Sequence, residues 1–123
     1  MNHPPIERFS PREIPGKPWG QELLVAHTPF YTGKVLTMRA GASGPLQYHE
    51  RKDEAFHLFS GEALVRTKHP DGTIIAIRML PGETYHIPPG AIHQVEAVIE
   101  CVFFETSTPV FDDRVGVSSA GTD

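Results

Sequence analysis

Four side chains in the middle of the sequence could together bind a metal ion. The chain has 123 residues, seven of them histidine, and its net charge is −4. Gln47 and His49 are two residues apart, so on a β-strand both side chains would point to the same face. Glu54 follows shortly after, and His93 comes after a turn at residues 88–90 that opens a later strand. Two imidazoles, a carboxylate and an amide oxygen suit a divalent transition metal, with zinc as the first expectation and iron, manganese, cobalt or nickel as alternatives.

Short β-strands separated by turns must position these side chains. Eleven glycines and twelve prolines leave little room for long helices. Asp71-Gly72, between two apolar runs, predicts a β-hairpin. The predicted strands span residues 22–26, 34–39, 46–49, 54–59, 62–68, 73–79, 84–87, 91–98 and 100–105. Without a sustained helical period between them, these strands predict an all-β fold, either a sandwich, a jelly roll or a small barrel.

Alternation along the predicted strands assigns side chains to faces. Lys34 falls on the core-facing side of its strand, and Glu54 shares a face with Phe56 and Leu58. A buried carboxylate needs a partner, and a metal ion is a suitable one. By the same parity His57 points away from Glu54, which indicates a surface or interface histidine.

Two longer patterns around the candidate ligands resemble the motifs of the cupin superfamily. The first runs Gly41-x5-Gln47-x-His49-x4-Glu54-x6-Gly61, with glutamine where cupins usually have their first histidine. The second runs Gly82-x5-Pro88-x-Gly90-x2-His93. The resemblance covers roughly residues 20–106. It implies a single cupin jelly-roll β-barrel, which agrees with the strand pattern.

A narrower resemblance is to the phosphomannose isomerase cupins of the type II mannose-6-phosphate isomerases. It rests on residues 17–22, 46–49, 87–93 and 105–107, on Lys34, and on residues 112–113. This resemblance implies that Lys34 lines a sugar-phosphate pocket as the catalytic side chain. It also implies that the metal ligands are Gln47, His49, Glu54 and His93.

Three functions are compatible with such a site. A metal-dependent aldose–ketose isomerase would use the divalent metal to stabilise an enediolate formed from a sugar or sugar phosphate, with Lys34 paired to an anionic group. An iron-dependent dioxygenase would use the two histidines and the carboxylate on open iron. A non-catalytic barrel that binds a sugar is favoured by two departures from the isomerase pattern: Gln94 replaces an arginine, and the arginine-rich ending is missing after Arg114.

The charge of the metal ligands indicates the class of substrate. An amide oxygen from Gln47 adds no charge, so a divalent metal held by one carboxylate keeps a net positive charge. Such a site favours an anionic or polyhydroxylated small molecule. The run of charged residues 50–53 beside His49 is expected to be a solvated loop, with the alternative that Lys52 or Arg51 reaches an anionic substrate at the mouth of the barrel.

The remaining features concern organisation and partners. Residues 1–18 contain five prolines and predict an extended N-terminal arm, followed by the cupin barrel at 19–110 and a C-terminal tail at 111–123. The negative net charge argues against nucleic acid, and no stretch is apolar enough for a membrane span or a signal peptide, so we expect a cytoplasmic protein. Open sheet edges predict a homodimer, with the outward side of Ile74, Ala76 and Arg78 and the proline-rich arm as its contact.

Overall fold

The computed structural model describes residues 2–118. In it the chain forms short β-strands joined by turns and loops. In chain order these are β1 (Arg12–Ile14), β2 (Gly20–His27), β3 (Thr32–Met38), β4 (Gln47–His49), β5 (Glu54–Ser60), β6 (Ala63–Lys68), β7 (Ile74–Met79), β8 (Thr84–Ile87), β9 (His93–Ala97), β10 (Cys101–Ser107) and β11 (Arg114–Gly116). No helix in the described part of the chain is long and apolar enough to cross a membrane.

The strands form two antiparallel sheets. The order in the six-stranded sheet is β1-β2-β3-β10-β5-β8, and the order in the five-stranded sheet is β11-β4-β9-β6-β7. Strands far apart in sequence are therefore neighbours, as in the pairs β3–β10 and β4–β11. The predicted all-β fold is confirmed.

Alternation within each strand separates the interior from the surface. In β10, Cys101, Phe103 and Glu105 are buried, whereas the intervening Phe104 is 45% exposed. The apolar core lies between the sheets and includes Leu58 and the residues packed around it. The inner face that carries this core also carries charged residues, and those residues build the site.

All nine predicted strands are present, with ends that differ by at most two residues. Two strands were not predicted. β1 lies in the N-terminal arm and pairs with β2, and β11 lies in the C-terminal tail and pairs with β4. Each has only three residues, too few for an alternating pattern to stand out. The predicted boundaries of arm, barrel and tail stay predictions, and the end of the tail, residues 119–123, lies outside the described residues.

The turn between β5 and β6 requires a glycine. Gly61 has a φ of +104°, and a Cβ atom there would lie 2.3 Å from the carbonyl oxygen of Glu100 and 2.8 Å from the Cα atom of Cys101. Gly72, in the β6–β7 hairpin, has a φ of +92° but no atom within 4 Å of a Cβ position. The two glycines share a backbone conformation and differ in crowding.

We therefore expect Gly61→Ala to destabilise the fold more than Gly72→Ala. The left-handed conformation alone costs an L-residue about 1–2 kcal/mol, and the clash at Gly61 adds roughly 2 kcal/mol or more. The free energy of unfolding, measured by urea titration of both variants, checks this difference. Equal losses in the two variants would show that crowding at the β5–β6 turn is relieved without cost.

Candidate metal centre

A cavity of about 410 Å³ lies between the two sheets. Its wall combines side chains of both sheets with parts of the N-terminal arm and the C-terminal tail. Ile14 and Trp19 contribute from the arm side, and Phe111 and Arg114 contribute from the tail side. Because the cavity reaches the inner face of the six-stranded sheet, the charged residues of that face line it.

Three of the predicted metal ligands converge on this cavity. His49, Glu54 and His93 are buried, and one ligand atom from each lies within 4.8 Å of the other two. The Oε1 atom of Glu54 is 3.6 Å from Nε2 of His49 and 3.4 Å from Nε2 of His93. Two imidazole nitrogens and a carboxylate oxygen thus face a common point, and this donor set could hold a divalent transition metal.

The other ring nitrogen of each histidine is already engaged. The Nδ1 atom of His49 is 3.1 Å from a carboxylate oxygen of Asp113, and Nδ1 of His93 donates to the carbonyl oxygen of Ala91 at 2.9 Å. In the neutral rings, with the proton on Nδ1, each Nε2 offers its lone pair to the common point. Only the charged form of His93 carries a proton on Nε2 as well, and a metal would displace that proton. Such hydrogen bonds behind the ligands are typical of metal-binding histidines, so the residues fit a metal.

The charges of the three residues differ because their partners differ. Although burial opposes ionisation, the hydrogen bond with His93 and the charge of Lys52 hold the pKa of Glu54 below its usual range, so Glu54 is a carboxylate at neutral pH. Burial lowers the pKa of His49. Burial also opposes the charge on His93, but hydrogen bonds with Glu54 and Ala91 outweigh it and raise the pKa of His93.

The structure places Gln47 on the cavity wall. This residue lies opposite His93 in the pairing of β4 with β9, and it is two residues from His49 on the same strand. The position agrees with the expected shared face of Gln47 and His49. Its role as a fourth ligand stays a prediction.

Lys34 also lies in the cavity, as its position on β3 indicated. The side chain is buried, with Nζ 3.0 Å from Glu22 and 4.0 Å from Glu105. Nζ also lies 5.3 Å from the centroid of the Phe111 ring. A buried lysine at the wall of a cavity is suited to meet an anionic group of a ligand.

The expectation of a solvated loop at residues 50–53 is wrong for Lys52. This lysine is 7% exposed, and its Nζ lies 3.1 Å from Glu54 and 3.0 Å from Glu105. Its backbone amide and that of Arg51 both donate to Asp113, at 2.9 and 2.7 Å. The loop turns inward because the carboxylate of Asp113 holds its backbone, a contact that no local pattern around Lys52 signals.

A buried row of alternating charges therefore crosses the cavity wall. In spatial order it consists of Glu22, Lys34, Glu105, Lys52 and Glu54. Burial and the neighbouring carboxylate of Glu54 raise the pKa of Glu105 to about 7. The sequence analysis did not select Glu22 or Glu105 as site residues. Alternation could have found Glu105, because it shares the inner face of β10 with Phe103.

No protein-family model matches the sequence, and no curated protein matches it either. Solved structures do resemble the chain. The cupin domain of Cnp3 from Schizosaccharomyces pombe superimposes with a TM-score of 0.64 at 16% identity, covering 73% of this chain and 61% of that domain's chain. The chain has the cupin fold.

Two further structures with the same fold superimpose more completely. CapF, a capsular polysaccharide assembling protein from Staphylococcus aureus, has a TM-score of 0.78 at 21% identity over 89% of this chain, which spans about a third (33%) of the length of CapF. KdgF from Halomonas sp. has a TM-score of 0.71 at 24% identity, covering 83% of this chain and 89% of KdgF. These similarities establish the cupin fold, and the narrower resemblance to phosphomannose isomerases stays a prediction.

The order in which substitutions empty the site tests the ligand assignment. His49→Ala or His93→Ala removes a strong nitrogen ligand and should weaken zinc binding by roughly a hundredfold or more. Gln47→Ala should weaken it by less than about tenfold, because water can take the place of the amide oxygen. Titration calorimetry with zinc measures both effects. An equal loss in Gln47→Ala and His49→Ala, or no loss in either, would contradict the assignment.

Asp113 should contribute to metal binding without touching the metal. Asp113→Asn removes the carboxylate that orients His49, and we expect zinc affinity to fall about 10–100-fold. Asp112→Asn is the matched control, since this exposed neighbouring carboxylate also lines the cavity, whereas the carboxylate beside Nδ1 of His49 is that of Asp113. The absorption spectrum of the cobalt form should change in Asp113→Asn only. Equal affinities in the two variants would show that His49 is oriented without Asp113.

Proposed function

We propose that this protein is a metal-dependent aldose–ketose isomerase that acts on a sugar phosphate or another small polyhydroxylated anion. The proposal rests on one observation: the buried row of charges lies directly beside the candidate metal ligands. Lys52 lies 3.1 Å from the ligand Glu54 and 3.0 Å from Glu105, so a cation and a second carboxylate lie directly beside the metal site. The fold shared with CapF, a capsular polysaccharide assembling protein, supports a carbohydrate substrate.

The charge balance of the cavity favours an anionic substrate. Two lysines in the row face three carboxylates, so the row is negative when all five groups are ionised. A divalent metal ion would reverse the sign of that net charge. Lys17 and Arg114 also line the cavity, together with one further acid, Asp112, so these three residues add one net positive charge. A phosphate or carboxylate group entering the metal-loaded cavity would therefore be attracted.

Each residue of the site has a distinct task in this proposal. His49, Glu54 and His93 would hold the metal, with Gln47 as the expected fourth ligand. When bound, a divalent metal supplies Lewis-acid stabilisation for negative charge on a substrate oxygen. Lys34 would pair with the anionic group of the substrate, because its ammonium group lies in the cavity wall.

Isomerisation also needs a group that moves a proton between neighbouring carbons, and we assign this task to Glu105. It lines the cavity and shares the Lys52 ammonium group with Glu54, which makes it the carboxylate of the row beside the metal site. Unlike Glu54, it is not required to hold the metal. A positioned carboxyl group of this kind contributes to catalysis by accepting and returning a proton.

The proposal predicts interconversion of at least one aldose–ketose pair in a panel of hexose and pentose phosphates offered to the metal-loaded protein. Glu105→Gln should lower kcat by about 10²–10⁴-fold while metal content stays unchanged. Glu96→Gln is the matched control, because this carboxylate pairs with Arg66 at 2.8 Å and does not line the cavity. If none of the sugar phosphates is converted, the isomerase assignment is wrong.

A second candidate function is favoured by the ligand set itself. Two histidines and one carboxylate with open positions are the arrangement of non-haem iron oxygenases. Oxygen uptake by the ferrous protein with small aromatic or diketone substrates would favour an oxygenase, since an isomerase consumes no oxygen. Tight binding of a sugar without turnover would instead favour the non-catalytic binding barrel.

A further inference from the structure

Phe111 separates the main cavity from a second cavity. The second cavity has a volume of about 430 Å³ and is more open to solvent. It is lined by residues 12–15 and by Leu24, His27 and Phe111. Ile14 and Phe111 line both cavities, whereas none of the candidate metal ligands lines the second one. The side chains of Ile14 and Phe111 therefore form the wall between the two cavities.

The two cavities are neighbours along the inner face of the six-stranded sheet. Glu22 and Leu24 are two residues apart on β2 and are both buried, so both side chains point to the same face. Glu22 lines the main cavity, and Leu24 lines the second. Lys34, which lies opposite Leu24 in the pairing of β2 with β3, lines the main cavity. The wall therefore stands at the Glu22 end of the buried row of charges and not at its Glu54 end.

The ring of Phe111 has a partner in each direction. The ammonium group of Lys34 lies over one face of the ring, 5.3 Å from its centroid. The ring of His27, which lines only the second cavity, meets Phe111 in an edge-to-face arrangement with 5.1 Å between the centroids. Cation–π contacts and edge-to-face aromatic contacts are both attractive. These two contacts hold the ring between the cavities.

The backbone of the loop between β10 and β11 also holds the ring in place. At the start of the loop, the amide group of Thr108 donates to the carbonyl oxygen of Asp53 at 3.0 Å. At its end, the amide group of Glu50 donates to the carbonyl oxygen of Asp113 at 3.3 Å. Phe111 lies between these two hydrogen bonds. The position of its ring is therefore set by the fold, although 45% of the residue is exposed.

A wall at this position limits what can be attached to the anionic group of a substrate. In the function proposed above, that group pairs with the ammonium group of Lys34, which lies beside the ring. A phosphate monoester ends at this point. A phosphodiester carries a second organic group, which would need the space that the Phe111 ring occupies. The main cavity, with about 410 Å³, is also near the lower end of the range of about 300–1,000 Å³ typical of ligand sites.

We propose that Phe111 determines specificity by restricting the substrate to the phosphate monoester of a single sugar unit and excluding phosphodiesters. The inference rests on the proposed function, because it takes Lys34 as the partner of the phosphate group. Without the ring, cavities of about 410 and 430 Å³ would join beside Lys34. Leu24 and His27 would then line the space for the second organic group.

Titration calorimetry of the zinc-loaded full chain with two probes tests the proposal. The probes are a hexose 6-phosphate and its benzyl phosphodiester, whose benzyl group has the size of the phenylalanine ring. The wild-type protein should bind the monoester at least about tenfold more tightly than the diester, because the wall rejects the second group. Phe111→Ala should lower this ratio of affinities by about tenfold or more, and Phe111→Leu by less, since leucine still fills part of the space.

The decisive quantity is the change of the ratio between variants, because the diester also carries less negative charge than the monoester. Phe104→Ala is the matched control, since Phe104 is likewise 45% exposed and lines neither cavity. It should keep the wild-type ratio. The inference is overturned by a ratio that is unchanged in both Phe111 variants or that falls equally in Phe104→Ala. Equal binding of the two probes by the wild-type protein, or no binding of either, also overturns it.

Turnover of the hexose 6-phosphate separates this inference from the proposed isomerase activity. If the ratio changes as expected but the wild-type protein converts no sugar phosphate, Phe111 selects the ligand and the isomerase assignment is wrong. If the wild-type protein isomerises the monoester and Phe111→Ala keeps the wild-type ratio, the isomerase assignment stands and Phe111 plays no part in selection.

Discussion

The carboxylate of Glu54 is the charge on which the rest of the site depends. It is 5% exposed, and a carboxylate removed from water is costly unless cations or hydrogen bonds compensate it. Its two oxygens divide the compensation: Oε1 faces the two histidine rings, and Oε2 faces Lys52. The ammonium group of Lys52 also pairs with the carboxylate of Glu105, and Glu105 in turn lies near the ammonium group of Lys34. The buried charge of Glu54 is therefore the first of a series of buried charges, each of which compensates its neighbour.

A small β-protein does not need such a row of buried charges in order to be stable. Buried ion pairs are often no more stabilising than apolar residues of the same shape, although removal of one partner alone is strongly destabilising. The inner face of the six-stranded sheet carries apolar core residues and four charges of the row, and Lys52 joins the row from the loop before β5. These charges line the cavity and adjoin the candidate metal ligands, which agrees with the function proposed above.

The sequence predicted those parts of the site that depend on local patterns. Alternation alone placed Lys34 and Glu54 on inner faces, and the cupin resemblance brought His93 to the same place as His49. The sequence did not predict that Lys52 turns inward, because that orientation depends on a hydrogen bond to Asp113, which is 61 residues away in sequence. β11 was missed for the same reason, since its pairing with β4 is set by register between distant segments and not by its own three residues. Local patterns in a single sequence do not show which distant segments of the chain pair with each other.

The contact between His49 and Asp113 has a consequence for how the protein acquires its site. The two residues are 64 positions apart, and β4 and β11 are neighbours in the sheet. During synthesis His49, Glu54 and His93 all leave the ribosome before Asp113. A nascent chain therefore presents the three candidate ligands while the His49 ring is still free to rotate and Lys52 is not yet held inward. The pairing of β11 with β4 closes a long loop, and it places Asp113 where its carboxylate contacts the His49 ring.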